Sequence, residues 1–249
     1  MGFHSFLQKN RIPLESVMAK SWNKKIFKNI DEKVNQASKD LAEERGACPD
    51  AEEYGIKERF SNKTAIAPTA SISIICGGSS PGVEPIAANS YTHKTLSGSF
   101  NVRNKYLKKL LQKYNKDTDS VWSSITTNQG SVSHLDFLTA DEKDTFKTAF
   151  EIDQRWIVEL GADRTPHISQ AQSINVFVPA DIHKKELHDI HFQAWKKGLK
   201  SLYYCRSKSM QRAEHVEAGS STDVTKNVYS KSNESNNKDN NYKECLSCQ

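Results

Sequence analysis

The sequence lacks any apolar run that approaches the length needed to cross a membrane. It also lacks both common glycine-rich nucleotide signatures, G-x-x-x-x-G-K-[ST] and G-x-G-x-x-G. Apolar residues make up only 36% of the chain, and the mean hydropathy is −0.70, so the core-forming residues must be concentrated in part of it. These absences argue against a membrane-spanning protein and against the P-loop and Rossmann types of nucleotide site.

A strong charge excess and a cysteine framework are missing as well. The 35 Lys and Arg residues against 30 Asp and Glu give a net charge of +5, which suits a small phosphorylated ligand. A nucleic-acid-binding protein would need a more basic surface. The five cysteines have no disulfide-framework spacing, and no signal-peptide pattern is visible. The sequence therefore predicts a cytoplasmic protein with no membrane partner and no direct nucleic-acid partner.

The most informative stretch is residues 64–100, TAIAPTASISIICGGSSPGVEPIAANSYTHKTLSGSF. A short apolar run ends at Pro68, where small residues begin. Backbone N–H groups at the start of a helix have no helical partner, and the helix dipole favours an anion there. From the residues alone, a phosphate cradle and an ordinary helix cap followed by a Gly/Ser/Pro loop both stay open. The small candidate residues are Thr69, Ala70, Ser71 and Ser73.

The end of the chain has a different character. Residues 220–242 are rich in Ser, Asn and Lys and nearly free of apolar residues, which is typical of a flexible tether. The tether leads to a C-x-x-C pair, Cys245 and Cys248. Zinc sites usually need a second such pair, which is missing, whereas a single pair forms a good dithiol/disulfide couple. Redox exchange is the favoured interpretation, and metal binding stays open.

Apolar periodicity predicts the main elements. Residues at three- and four-residue steps indicate one long helix that starts at Pro13 and ends at Gly46. Near the end, a strand at 173–178, a helix at 182–197 and a strand at 199–206 make a βαβ unit with parallel strands. Leu187, Ile190, Ala194 and Trp195 are expected on the inner side of that helix.

Tyr203 and Tyr204 lie in the last predicted strand, where core packing is the ordinary interpretation. Neighbouring residues on a regular strand point to opposite faces. A stacked pair of rings therefore requires a strand end or a local irregularity at this point.

The blocks APTAS, GVEP and ANSYTHKTLSGSF, in that order, resemble the large subunit of class I ribonucleotide reductase. The resemblance implies an α/β fold in which residues 1–209 are the C-terminal part of a ten-stranded α/β barrel and residues 210–249 form a flexible tail. A split or truncated large subunit of phage or bacterial type is expected, because GFHSFLQ lies in the middle of the family's barrel.

The resemblance also implies roles for the candidate residues. The family's PTAS loop holds the substrate diphosphate, which makes the small residues from Thr69 to Ser73 substrate-binding residues, although Ile72 stands where Thr or Ser is frequent. Tyr203 and Tyr204 would relay a radical from the small subunit. Cys245 and Cys248 would shuttle thiols that thioredoxin or glutaredoxin reduces.

One family feature is missing: no N-x-C-x-E pattern, which carries the radical-forming cysteine, occurs in the chain. The chain is therefore expected to act as a ribonucleoside-diphosphate reductase only together with the N-terminal part of the large subunit and the small subunit. It would bind no cofactor itself, and the small subunit would carry a dimetal/radical cofactor. The product would be deoxyribonucleotides for DNA replication. The alternative is a non-enzymatic phosphate-binding or redox-adaptor module with a CxxC tail.

Two surfaces follow from this interpretation. A barrel cut in the middle would leave apolar surface uncovered, so we expect Phe3, Phe6, Leu7 and the stripe of the long helix to be partly exposed. In the family, the small subunit's tail docks on the helix that corresponds to residues 182–197. The basic residues expected on its outer face are His183, Lys184, Lys185, His188 and Lys196.

Overall fold

A computed structural model describes residues 1–95 and 98–207 of the chain. These residues form one long helix, several shorter helices and two two-stranded sheets. The helices are α1 (Phe3–Lys9), α2 (Val17–Arg45), α3 (Pro49–Glu53), α4 (Ala70–Ile75), α5 (Lys105–Lys113), α6 (Asp119–Thr127), α7 (Ala140–Thr145), α8 (Gln154–Arg164) and α9 (Lys184–Lys196). The strands are β1 (Ser90–Thr95), β2 (Gly98–Arg103), β3 (Val176–Val178) and β4 (Cys205–Ser207). A 3-10 helix, Thr165–His167, follows α8.

The long helix α2 forms as predicted but begins later than expected. Its first helical residue is Val17, and the Ser16 hydroxyl accepts a hydrogen bond from the Ala19 N–H at 3.0 Å. The same hydroxyl donates to the Pro13 carbonyl at 2.6 Å, so residues 13–16 form a turn before the helix. The predicted start at Pro13 was wrong, because the serine supplies a cap that proline cannot. Gly46 ends the helix with φ 83°.

Three clusters of buried apolar side chains make up the core. The first joins α1, α2 and α8, the second joins α5, α6 and the turns up to α7, and the third packs α9 on β3. In the first cluster the Phe3 and Phe27 rings lie 6.3 Å apart, and Phe6 meets Trp22 edge-on at 5.2 Å. Aromatic pairs of this kind dominate core energetics.

The expected partial exposure was wrong for Phe3 and Leu7, which are buried because α1 packs on α2, and correct for Phe6, which is partly buried. For the long stripe, the expectation was wrong at Leu14, which is buried, and correct at Val17, which is 79% exposed, and at Met18.

The predicted βαβ unit is present with shorter strands. β3 pairs with β4 in parallel, with Val176 opposite Cys205. Ile190 and Ala194 are buried and Leu187 is partly buried, as predicted. Trp195 is 73% exposed, so its predicted inward position was wrong.

The antiparallel hairpin of β1 and β2, with Ser90 opposite Arg103, was not predicted. An isolated parallel bridge joins Ile66 to Gln172. Among the helices of the described residues, we find none that combines the length and apolar character needed to span a bilayer.

Candidate functional site

The small residues after Pro68 lie at the start of α4. Thr69 is the N-cap, with a left-handed backbone at φ 54°, and Ala70 is the first helical residue. The Ser73 N–H donates to the Thr69 carbonyl at 2.9 Å, and the Ser73 hydroxyl donates to the Ala70 carbonyl at 2.6 Å. The N–H groups of the first helical turn have no partner within the helix. Ser71 is exposed beside this turn, whereas Ser73 is buried and forms part of its framework.

The side chain of Thr69 ties the start of α4 to the loop that follows the helix. Its hydroxyl accepts a hydrogen bond from the Gly82 N–H at 2.8 Å. Gly82 has φ 48°, and a β-carbon there would lie 3.3 Å from the Ala67 carbonyl oxygen. Glycine is therefore required at the point where the two ends of the turn meet.

The loop between α4 and β1 is also pinned by α1. Ser5 and Ser80 exchange two hydrogen bonds, each backbone N–H donating to the other's hydroxyl, at 3.1 and 2.8 Å. Further along, the Ile86 N–H donates to Nδ1 of His4 at 3.1 Å. The GFHSFLQ block thus holds the loop at two points and buries it, as the buried Ser80 and His4 demonstrate.

His4 is neutral in this environment. The side chain is 1% exposed, and burial lowers the pKa of His4 from 6.5 to about 3. Nδ1 accepts a hydrogen bond, so the proton of the neutral ring is on Nε2.

The segment around Ile66, which leads into α4, is hydrogen-bonded to residues on either side of Gln172, and Gln172 is a partner of the buried Arg164. Ile66 bonds to the chain at both sides of Gln172, accepting from the Ser173 N–H at 2.8 Å. The buried guanidinium of Arg164 donates to Gln172 at 2.9 Å and to Asn23 at 3.0 Å. Burial lowers the pKa of Arg164 to about 9, and the nearby charge of Asp163 acts in the opposite direction.

The two tyrosines form a close pair. The ring centroids of Tyr203 and Tyr204 are 4.1 Å apart at 51°, and the hydroxyl oxygens are 3.5 Å apart. Both residues precede β4, which begins at Cys205, so the opposite-facing geometry of a regular strand does not apply. This is the strand-end irregularity that a paired arrangement requires.

The backbone around the pair is held by the neighbouring segment. The Tyr203 N–H donates to the Ile174 carbonyl at 2.8 Å, and the Val176 N–H donates to the Tyr204 carbonyl at 2.8 Å. Oδ1 of Asn175 accepts from the Tyr204 N–H at 3.0 Å. The guanidinium of Arg206 lies 5.5 Å from the centre of the Tyr204 ring.

Glu84, in the loop after α4, completes this arrangement. It is buried, and its carboxylate accepts from the backbone N–H and from Nδ2 of Asn175, each at 3.0 Å. Burial raises the pKa of Glu84, and the two hydrogen bonds from Asn175 act in the opposite direction. The loop that contacts Thr69 is therefore also linked, through Asn175, to the backbone of Tyr204.

The outer face of α9 combines aromatic and basic groups. The His188 ring stacks on Phe192 at 5.8 Å, and Phe192 lies 5.5 Å from Trp195. Phe192 and Trp195 are exposed. The five predicted basic residues are also exposed: His183, Lys184, Lys185, His188 and Lys196.

The predicted shuttle cysteines, Cys245 and Cys248, lie outside the described residues. The sequence analysis did not single out Glu84, in the block GVEP, or His4, in the block GFHSFLQ. Each is an ionisable residue with apolar or small neighbours, and that pattern is the signal that could have identified both. Asn175 carried no such signal.

Comparisons with known proteins give one consistent result. The family model described as "Ribonucleotide reductase, barrel domain" matches residues 1–58 and 49–205. The chain is 48% identical over 220 residues to the "Ribonucleoside-diphosphate reductase large subunit" of Invertebrate iridescent virus 6, covering 87% of this chain and 23% of that protein. It is 32% identical over 234 residues to the "Ribonucleoside-diphosphate reductase large chain 2" of Saccharomyces cerevisiae, covering 82% of this chain and 27% of that protein.

A solved structure agrees. The "Actinobacillus ureae class Id ribonucleotide reductase alpha subunit" superimposes with a TM-score of 0.78 at 40% identity, over 84% of this chain and 38% of that chain. The chain thus spans between 23% and 36% of the length of the first three curated relatives.

Proposed function

The chain belongs to the ribonucleotide reductase barrel-domain family, and from this premise we propose that it supplies the C-terminal part of a ribonucleoside-diphosphate reductase large subunit. Together with the N-terminal part and the small subunit, it reduces ribonucleoside diphosphates to deoxyribonucleotides. The observation that carries this proposal is that one loop bonds both to Thr69 and, through Asn175, to the tyrosine pair. A substrate site and a radical path must meet in such an enzyme.

The substrate diphosphate binds at the start of α4. In this proposal the N–H groups of Ala70 and Ser71 and the exposed Ser71 hydroxyl contact phosphate oxygens, since small side chains permit close approach. Thr69 shapes the turn through its bond to Gly82. Ser73 supports the turn from inside, because its hydroxyl is buried and engaged.

Tyr203 and Tyr204 relay the radical from the small subunit, whose dimetal/radical cofactor generates it. A ring separation of 4.1 Å favours transfer between the two phenols, because electron transfer weakens steeply with distance. Loss of the electron together with the phenolic proton avoids a charged intermediate. The hydroxyl oxygens lie 3.5 Å apart, so the two phenols must move closer before a proton can pass directly between them.

The tail pair, Cys245 and Cys248, re-reduces the active-site disulfide and is itself reduced by thioredoxin or glutaredoxin. The small subunit docks on the outer face of α9. Exposed Phe192 and Trp195 offer anchors of the kind that dominate interfaces, and the surrounding basic residues select an acidic peptide.

A chimeric enzyme tests the proposal. In the iridescent virus 6 relative, the 220-residue region that aligns with this chain is replaced by this chain, and reduction of cytidine diphosphate is measured with the cognate small subunit. We expect turnover from the chimera and none from this chain alone. An inactive chimera that folds and binds the small subunit would favour the non-enzymatic module.

A further inference from the structure

Glu84 is buried, and both oxygens of its carboxylate accept hydrogen bonds from the same residue, Asn175. Oε1 accepts from the Asn175 backbone N–H and Oε2 from its Nδ2–H, both at 3.0 Å. An ionised carboxylate only accepts hydrogen bonds. The Asn175 amide accordingly turns its nitrogen to Glu84 and its oxygen to the Tyr204 N–H.

The oxygen of that amide is the group that meets the tyrosine pair. With Nδ2 committed to Glu84, Oδ1 is available to accept from the Tyr204 N–H at 3.0 Å. A flipped Asn175 would place two N–H donors against each other at Tyr204 and two acceptors against each other at Glu84. The carboxylate thus selects the amide orientation that Tyr204 needs.

The same loop reaches the start of α4. Gly82, two residues before Glu84, donates to Thr69 at 2.8 Å, and Gly82 and Glu84 are both buried. A chain of hydrogen bonds therefore links Thr69 to Tyr204 through Gly82, Glu84 and Asn175, and these three middle residues are buried.

We propose that Glu84 is a positioning residue: acting through the Asn175 amide, it sets the backbone of Tyr204 and holds the tyrosine pair in a fixed position relative to Thr69 at the start of α4. The geometric part concerns this chain alone. Its consequence for turnover rests on the proposed function.

Three variants separate positioning from general stability. Glu84→Gln keeps the size but sets its amide N–H₂ against a donor of Asn175, and Asn175→Asp sets a second carboxylate against Glu84. The double variant Glu84→Gln/Asn175→Asp restores every bond. Its glutamine oxygen accepts the backbone N–H of residue 175, its N–H₂ donates to one aspartate oxygen, and the other oxygen accepts from Tyr204. Glu15→Gln is the matched control, since Glu15 also accepts from a backbone N–H, that of Asp153, and from a side chain, that of Lys147.

The first readout uses the full chain by itself. Tyr204 is replaced site-specifically by 3-fluorotyrosine, and its ¹⁹F resonance is recorded. We expect each single variant to shift or broaden the resonance, the double variant to return it to the wild-type position, and Glu15→Gln to leave it unchanged. Unchanged spectra in folded single variants would overturn the proposal. A double variant that folds without restoring the resonance, or that does not fold, would overturn it as well.

The second readout uses the chimeric enzyme. Glu84→Gln should lower kcat on the order of tenfold or more, since small misplacements of reacting groups are costly. KM for cytidine diphosphate should change by less than about twofold, as expected when binding is untouched. A KM effect with normal kcat would overturn the proposal. An inactive wild-type chimera would count against the proposed function only, because the ¹⁹F readout needs no turnover.

Discussion

The loop that follows α4 and the outer surface of α4 itself are neighbours in sequence, yet they are built differently. In the loop, polar groups such as Ser80 and Glu84 are buried and hydrogen-bonded to distant parts of the chain. On α4, Ile72, Ile74 and Ile75 are exposed, the last at 83%. The difference teaches that the polar groups of the loop find their partners within this chain, whereas the exposed surface of α4 has the apolar character of an interface.

The largest effect on turnover is expected from a change in the tyrosine pair, because the proposed radical transfer passes through it. Tyr204→Phe keeps the ring but removes the hydroxyl that exchanges a proton, so turnover of the chimeric enzyme should fall to background. Tyr106→Phe, in the second core cluster, is the control and should retain activity. Substantial turnover in Tyr204→Phe would remove the relay role.

Two glycines, one tightly packed and one in open space, allow packed and exposed parts of the chain to be compared by their effect on the free energy of unfolding. At Gly130 φ is 82°, and a β-carbon would lie 2.4 Å from the Ala88 β-carbon; at Gly55 φ is 66° with nothing within 4 Å. Gly130→Ala adds overpacking to backbone strain and should cost on the order of 3 kcal/mol of unfolding free energy. Gly55→Ala should cost about 1 kcal/mol, from strain alone. Urea denaturation measures both, and equal losses would contradict the close packing at Gly130.

Because α1 holds the loop after α4 through His4, the free energy of unfolding should depend on pH. The folded-state pKa of His4 is lowered to about 3 from 6.5, so its contribution is fully present above pH 6.5 and is lost as pH falls toward 3. At pH 5 the loss should be about 2 kcal/mol. His4→Asn retains an acceptor for the Ile86 N–H and does not titrate, so this part of the acid sensitivity should disappear. An identical pH profile in the variant would show that His4 is not the group responsible.

The smallest effect on the stability of the chain is expected from a change at the exposed isoleucines of α4. Ile75→Lys replaces an exposed side chain, so the unfolding free energy should change by less than about 0.5 kcal/mol. Association with the N-terminal part of the large subunit should weaken, which light scattering or calorimetry would detect. Ile56→Lys, also exposed but on the chain after α3, is the control. Equal association in both variants would show that α4 does not face the partner.

Local chemistry by itself determined several elements correctly. Gly46 ends α2 as predicted, and the T-x-x-E spacing of Thr139 and Glu142 forms a capping box at the start of α7. The parallel pairing of β3 and β4 follows from the order strand, helix, strand. These features depend on neighbours within a turn or two, or on connection rules that any chain obeys, and a sequence pattern contains that information.

Only the tertiary structure decided what the site residues contact. Ser5 meets Ser80 across 75 positions and Glu84 meets Asn175 across 91, and no local periodicity encodes such partners. Trp195 had the spacing of a core residue but is exposed, because the facing surface of β3 is already covered by Ile190 and Ala194. The sequence alone determined that the long helix α2 forms and ends at Gly46, and which residues are chemically able to act. The pairing of the tyrosines and their link to the α4 loop arise from hydrogen bonds that exist only once distant segments are packed together.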